Sequence, residues 1–190
     1  MKARVLVLAL VLLVSLFVGC TRPTPTPTPT PTTPPTTTTP EVVTTASIVD
    51  NAAAFEKAIS KTGTWIIAIV KDLTIDKDIA LEGEFKNGKK DTAGKDIIQR
   101  KVALYAQDEN RNVTARYKLT APKLTITSPN AGLWYGTFKG DLYVSAPNFT
   151  LYSATVDGNI YFTTDEAKST FKNDETKGAS TITGKQELKK

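Results

Sequence analysis

Residues 154–162 read ATVDGNIYF, and residues 136–144, eighteen positions earlier, read GTFKGDLYV. Both run small, Thr, apolar, variable, Gly, variable, aliphatic, Tyr, apolar. The echo extends further. TAPKLTITS (120–128) matches SAPNFTLYS (145–153), so that 145–162 forms one 18-residue unit. The preceding copy, 120–144, then reads as the same unit with a 7-residue insertion, PNAGLWY (129–135), and a weaker third copy, 163–188, needs about eight extra residues. Strand-like phrases at a fixed period, with Gly at one phase and insertions tolerated, predict an all-β domain built as a parallel β-solenoid. An antiparallel β-sandwich is the alternative.

Alternation within each strand assigns the faces. Phe138, Leu142 and Val144 point inward with Val156, Ile160 and Phe162. Lys139 faces outward over Asp157, Asp141 over Asn159, and Tyr143 over Tyr161, each a favourable cross-strand neighbour. Gly140, Gly158 and Gly184 share a phase where the backbone must bend or be approached closely. In the last copy Gln186 replaces Leu142 and Ile160, which suits a capping coil.

Upstream, SIVDNAAAFEKAISKTG (47–63) predicts a helix that caps the other end. Ala54, Phe55, Ala58 and Ile59 recur at helical spacing, Ser47 or Asp50 serves as N-cap, and Gly63 as the left-handed stop. Short strands follow at 64–70, 73–76, 79–85, 101–107, 115–120 and 123–128, rich in β-branched and aromatic residues. KNGKKDTAGKD (86–96) and DENRN (108–112) read as exposed excursions.

GDLYV and GNIYF resemble the rungs of bactofilins and other small right-handed β-helix proteins. The likeness spans about 70 residues and implies the architecture, not the filament-forming role.

The chain opens MKARVLVLALVLLVSLFVGC, a basic start followed by the apolar run Val5–Gly19, too short for a spanning helix and ending at Cys20. Phe17-Val18-Gly19-Cys20 resembles the lipobox of bacterial lipoproteins, with Phe17 where Leu is usual. The resemblance implies a signal peptide over 1–19 and Cys20 as the acylated first residue of the mature protein, its partner the membrane. Each buried methylene contributes about 0.8 kcal/mol, so two or three acyl chains anchor stably. Cys20 is the one cysteine of the chain, so disulfides are excluded. The lipid places the protein outside the cytoplasm, at a cell surface or outer membrane. Residues 21–40 hold 11 Thr, 8 Pro and one Arg, a composition that cannot bury a core. We therefore read 20–46 as a lipidated Cys with an extended stalk, able to hold the domain (47–190) on the order of 80 Å from the membrane.

Net charge is +5 for the full chain, and Lys2 and Arg4 leave with the signal. The remainder is too small and too mixed to point to nucleic acid. There is no histidine, which excludes Ser–His–Asp triads, Cys–His dyads and His-based zinc sites. No phosphate loop or dinucleotide fingerprint occurs, and no cofactor is implied. Asp108, Glu109, Asn110 and Asn112 offer oxygen ligands without the order of a calcium loop. The expected function is a binding or scaffold module rather than an enzyme. Trp134, Tyr135, Tyr143 and Tyr161 form its candidate contact surface, because flat aromatic faces pack against sugar rings. A structural module that associates through solenoid ends is one alternative. A small polysaccharide-active enzyme is another, since its paired carboxylates need only meet in space.

Overall fold

The computed structural model describes residues 46–189, which fall within one unit, Pro40–Lys190. The signal segment, Cys20 and the Thr/Pro stretch lie outside the described residues. The chain runs through β1 (Ala46–Val49), α1 (Ala52–Ile59), β2 (Ile66–Ile69), β3 (Leu73–Thr74) and β4 (Ile79–Leu81). A hairpin of β5 (Lys86–Lys90) and β6 (Asp96–Ile98) precedes β7 (Arg100–Ala103). A second hairpin, β8 (Tyr105–Gln107) and β9 (Val113–Arg116), precedes β10 (Lys118–Ile126). Then come β11 (Ala131–Trp134), β12 (Thr137–Val144), β13 (Thr150–Tyr152), β14 (Thr155–Asp157) and β15 (Ile160–Phe162). The chain closes with α2 (Asp165–Thr170), β16 (Lys172–Asp174), a 3₁₀ turn (Glu175–Lys177), β17 (Thr181–Ile182) and β18 (Gln186–Leu188).

The protein is thus mostly β, with two main sheets whose pairings are all parallel. The first has the order β1-β2-β7-β11-β13-β16. The second centres on β10 and β12, flanked by β3 and β4 on one side and by β14, β15, β17 and β18 on the other. Both hairpins are antiparallel, but the main sheets are not, which removes the sandwich alternative. Within each main sheet the strands pair in parallel with strands from earlier and later in the chain. Thr137 pairs with Thr155 and Leu142 with Ile160, so the opening phrases are hydrogen-bonded neighbours in register.

The alternation of those phrases then acts as expected. Phe138, Leu142, Val144, Val156, Ile160 and Phe162 are each at most 2 % exposed. Full burial of side chains of this size contributes about 1.5–3 kcal/mol each, and a slip of one residue would turn all of them to water. On the outer side Lys139 pairs with Asp157 and Tyr143 with Tyr161. Asp141 accepts hydrogen bonds from the backbone N–H and side-chain amide of Asn159, at 3.2 and 2.9 Å.

Three expectations are corrected. First, PNAGLWY is not an insertion. It supplies β11, in the middle of the first sheet, and Gly132 pairs with Thr150 as Trp134 pairs with Tyr152. Residues 128–144 therefore match 146–162 without a gap. TAPKLTITS belongs to β10 in the second sheet, opposite KGDLYV, whereas SAPNFTLYS leads into β13 in the first. The shared Ala-Pro is a coincidence of composition: Ala121 and Pro122 form a bulge opposite Gly140, where a residue without an N–H costs no ladder bond.

Second, Ser47 lies in β1 and not at a helix terminus. The run Ile48-Val49 is β-branched and joins β2, so the helix begins only at Ala52. Its cap is Asn51, whose side chain accepts the Ala54 N–H at 2.9 Å. Third, Gly63 is not a left-handed stop. The helix ends at Ile59 with Ser60 as its C-cap, and a Cβ on Gly63 would collide with the Ala58 carbonyl, so the glycine serves a close approach.

That approach surrounds Arg100. Fully buried at the start of β7, its guanidinium donates to the carbonyls of Ile59 (2.8 Å), Ser60 (3.0 Å), Thr64 (3.1 Å) and Ala58. It also lies 4.1 Å from the centre of the Phe85 ring. One side chain thereby adds a second donor to the Ala58, Ile59 and Ser60 carbonyls, which also accept the backbone N–H groups of Thr64, Glu82 and Gly63, at the end of a helix packed on the core through Phe55, Ala58 and Ile59. Burial pushes the guanidinium down to about 10. At the other end, Asn173 and Gln186 stand in columns that hold Leu151 and Ile160 one strand earlier, and both are exposed. The polar last strands follow α2, which with the 3₁₀ turn accounts for the extra residues of the third copy.

Candidate ligand-contact face

In β11 and β13 the inward residues are Leu133 and Leu151, so Gly132, Trp134, Thr150 and Tyr152 face outward. The neighbouring outward residue of β7 is Lys101, paired with Gly132. Trp134 and Tyr152 stack with ring centres 3.9 Å apart and planes 22° from parallel. The Lys101 ammonium lies 4.1 Å from the centre of the Trp134 ring. Two groups so close to one ring centre occupy its two faces, giving the column Lys101, Trp134, Tyr152. Gly132 makes the column possible. A Cβ there would stand 2.8 Å from Trp134 Nε1 and 3.0 Å from Tyr152 Cε2, so the rings lean over bare backbone. The price is an indole N–H buried without a partner.

Tyr135 continues the cluster at the corner leading to β12, in the left-handed region at φ 53°, as Ser153 does in the next passage at φ 49°. In the preceding passage this corner is occupied by the β8–β9 hairpin. Tyr105 and Arg116, cross-strand partners at its base, clasp Tyr135. Tyr105 meets it edge-on with ring centres 4.6 Å apart, and the Arg116 guanidinium lies 4.9 Å from its centre. Arg116 also donates to the Ser153 carbonyl at 2.7 Å and hydroxyl at 3.1 Å. The two halves are joined by Lys101, which donates to the Tyr105 hydroxyl at 2.7 Å.

Burial pushes the Lys101 ammonium down from 10.5 to about 8 and raises the phenols of Tyr105 and Tyr152. Unfolding returns Lys101 to its ordinary value. Above pH 8 the unfolded chain then holds more protons than the folded one, so stability rises with pH until the lysine is neutral in both. Between about pH 8 and 9.5 the wild type should gain stability relative to Lys101→Met, as read from urea midpoints. Parallel curves for the two proteins would place the ammonium in water instead.

Of the four aromatics singled out from the sequence, Trp134 and Tyr135 come together here. Tyr143 and Tyr161 do not join them. They lie on the second sheet, as a tilted pair with centres 4.9 Å apart. Lys189 donates to the Tyr143 hydroxyl at 3.0 Å and lies 4.4 Å from the centre of Tyr161. Lys123 approaches Tyr143 and is ion-paired with Asp78. The sequence reading missed Tyr105, Tyr152, Lys101 and Arg116. Tyr152 was findable, because it stands eighteen positions after Trp134 once β11 is recognised as a rung.

Other candidates resolve into structure. The Asp108 carboxylate accepts the backbone N–H and side-chain amide of Asn112 at 2.8 and 2.9 Å, which makes 108–112 a hairpin turn. Among the described residues no three acidic, His or Cys side chains gather into a metal site, and no helix is long and apolar enough to cross a membrane. A surface depression between Ile75, Pro122 and Lys139 is shallow and open.

No protein-family model, curated protein or solved structure matches the chain.

Proposed function

We propose that the protein is a lipid-anchored module of the cell envelope, held to the membrane through Cys20 and carried on its Thr/Pro stalk, that binds carbohydrate. Its domain is a small parallel β-solenoid, a reading supported by the successive in-register parallel pairings. The ligand meets the outer face of the first sheet. The observation that carries this is the gathering of Tyr105, Trp134, Tyr135 and Tyr152 on one outer face, where a soluble domain would ordinarily place charged residues. Such rings offer C–H and edge contacts to a sugar at little entropic cost. The Tyr143–Tyr161 pair is assigned to the stability of the second sheet.

The test is retention on a panel of insoluble polysaccharides. Trp134→Ala and Tyr135→Ala should each lose retention at least fivefold, while Tyr161→Ala on the other sheet keeps it. Equal retention by all three variants, or no retention of the wild type on any glycan, would sink the proposal. Thermal melts on the same samples separate a lost contact from a lost fold. The competing reading, association through the ends, has less support at the end marked by polar Asn173 and Gln186.

A further inference from the structure

The ring faces that a neutral sugar would use are already occupied by the protein's own cations. Lys101 lies on Trp134 and Arg116 on Tyr135, at 4.1 and 4.9 Å from the ring centres. A third cation, Lys172 of β16, is exposed in the same outward row as Lys101, beyond Gly132 and Thr150. Three strand spacings separate the two lysines, about 14 Å. None of the three is ion-paired to a carboxylate among the described contacts. The one acid of this face, Asp174, accepts the Thr176 N–H at 2.8 Å and lies close enough to Lys172 and Tyr152 to act on both electrostatically. The face therefore presents the Lys101 ammonium and the Arg116 guanidinium held in place by aromatic rings and without a carboxylate partner, while Lys172 has Asp174 nearby.

Building on the carbohydrate reading, we propose that the ligand is an acidic polysaccharide, one whose sugars carry carboxylates, gripped by Lys101, Arg116 and Lys172 along the Trp134–Tyr152 column. Arg116 suits the task because its fork is fixed on Ser153 and carries further N–H donors for a carboxylate. Lys101 suits it because an anion would compensate a charge that burial leaves costly. The rings then position cations in addition to touching sugar.

The experiment compares retention on polygalacturonate beads with retention on insoluble xylan and cellulose. Polygalacturonate should retain the wild type, with retention falling at least tenfold between 50 and 500 mM NaCl. Lys101→Met keeps the aliphatic stem over the indole and Arg116→Gln keeps a polar contact to Ser153. Each should lose fivefold or more without a fall in melting temperature. Lys89→Gln with Lys95→Gln, in the distant β5–β6 excursion, controls for general attraction to a polyanion and should bind as wild type. Salt-independent retention on xylan or cellulose in preference to polygalacturonate overturns the acidic ligand while leaving a carbohydrate function. Retention on polygalacturonate that survives Lys101→Met and Arg116→Gln, or that falls equally in the Lys89/Lys95 variant, overturns the site. Absence of retention on every glycan overturns both proposals together.

Discussion

Gly140→Ala should abolish the native fold at ordinary temperatures. Gly140 sits in the middle of β12 at φ 140°, a conformation that side chains rarely adopt. A Cβ there would be 1.8 Å from the Ala121 carbonyl oxygen, which is backbone in the bulge of β10 and cannot rotate aside. Gly158 repeats the arrangement against the Gly140 carbonyl at 2.1 Å, and Gly184 against that of Gly158 at 2.5 Å. Relief requires the sheets to separate locally, which breaks ladder bonds beside the most buried columns. We expect a loss above about 4 kcal/mol, in the range reserved for backbone strain combined with a core defect. A domain whose total stability is about 5–15 kcal/mol does not comfortably survive it. Gly88→Ala is the contrasting case. It also has positive φ, at 80°, but nothing lies within 4 Å, so its cost should stay near 1 kcal/mol. Soluble yield and urea midpoints of the two variants provide the measurement. Comparable midpoints would show that the glycine column is loosely packed.

Arg100→Met should remove about 3–5 kcal/mol, because it deletes several hydrogen bonds from a charged donor, each worth about 1.5–3 kcal/mol and not additive. Methionine fills the space beneath Phe85, yet it leaves the Thr64 carbonyl without its donor and those of Ala58, Ile59 and Ser60 with one backbone N–H each. Arg100→Lys should recover only part of the loss, since one ammonium cannot reach all four oxygens that the planar fork spans. For a domain of this size the methionine variant should melt roughly 10 °C lower. Its unfolding should begin at α1, with early loss of protection at the amides of the helix and β1. A variant that melts as wild type would mean that the backbone N–H groups of Gly63, Thr64 and Glu82 suffice to complete the helix terminus.

The register of the second sheet is legible in GTFKGDLYV and ATVDGNIYF because three constraints coincide there. The inward positions must be apolar, the shared Gly admits no Cβ, and the outward residues match in charge or ring. A strict alternation of two leaves no freedom to slip once Phe138 and Val156 are both inside. The first sheet was harder to read. Its strands are short, and the β11 sequence AGLW contains a glycine that looks like a loop signal but exists to let Trp134 and Tyr152 lie down. The phrase TAPKLTITS reinforced the error, since its resemblance to SAPNFTLYS arises from two different demands, a bulge and a strand entry. Arg100 was invisible for another reason. Four backbone carbonyls converge on it from a segment some forty residues earlier, and no pattern of side chains announces where backbone groups will gather. The split of the aromatics follows likewise from topology: Trp134 and Tyr143 are nine residues apart, which here is the distance from one sheet to the other.

The gapless match of 128–144 with 146–162 bears on how such a molecule changes over evolutionary time. Parallel pairing joins each copy to the one before and the one after it, while Arg100 with α1 and the polar strands after α2 lie outside the two matching copies. Tandem duplication of eighteen residues inside the array would disturb neither feature and would add one strand to each main sheet, about 4.8 Å of height. Extent is then an inherited variable that can drift without redesign of the core. The row of outward cations and rings would lengthen in step, so selection for a longer polymeric ligand and selection for a longer domain would act on the same genetic event.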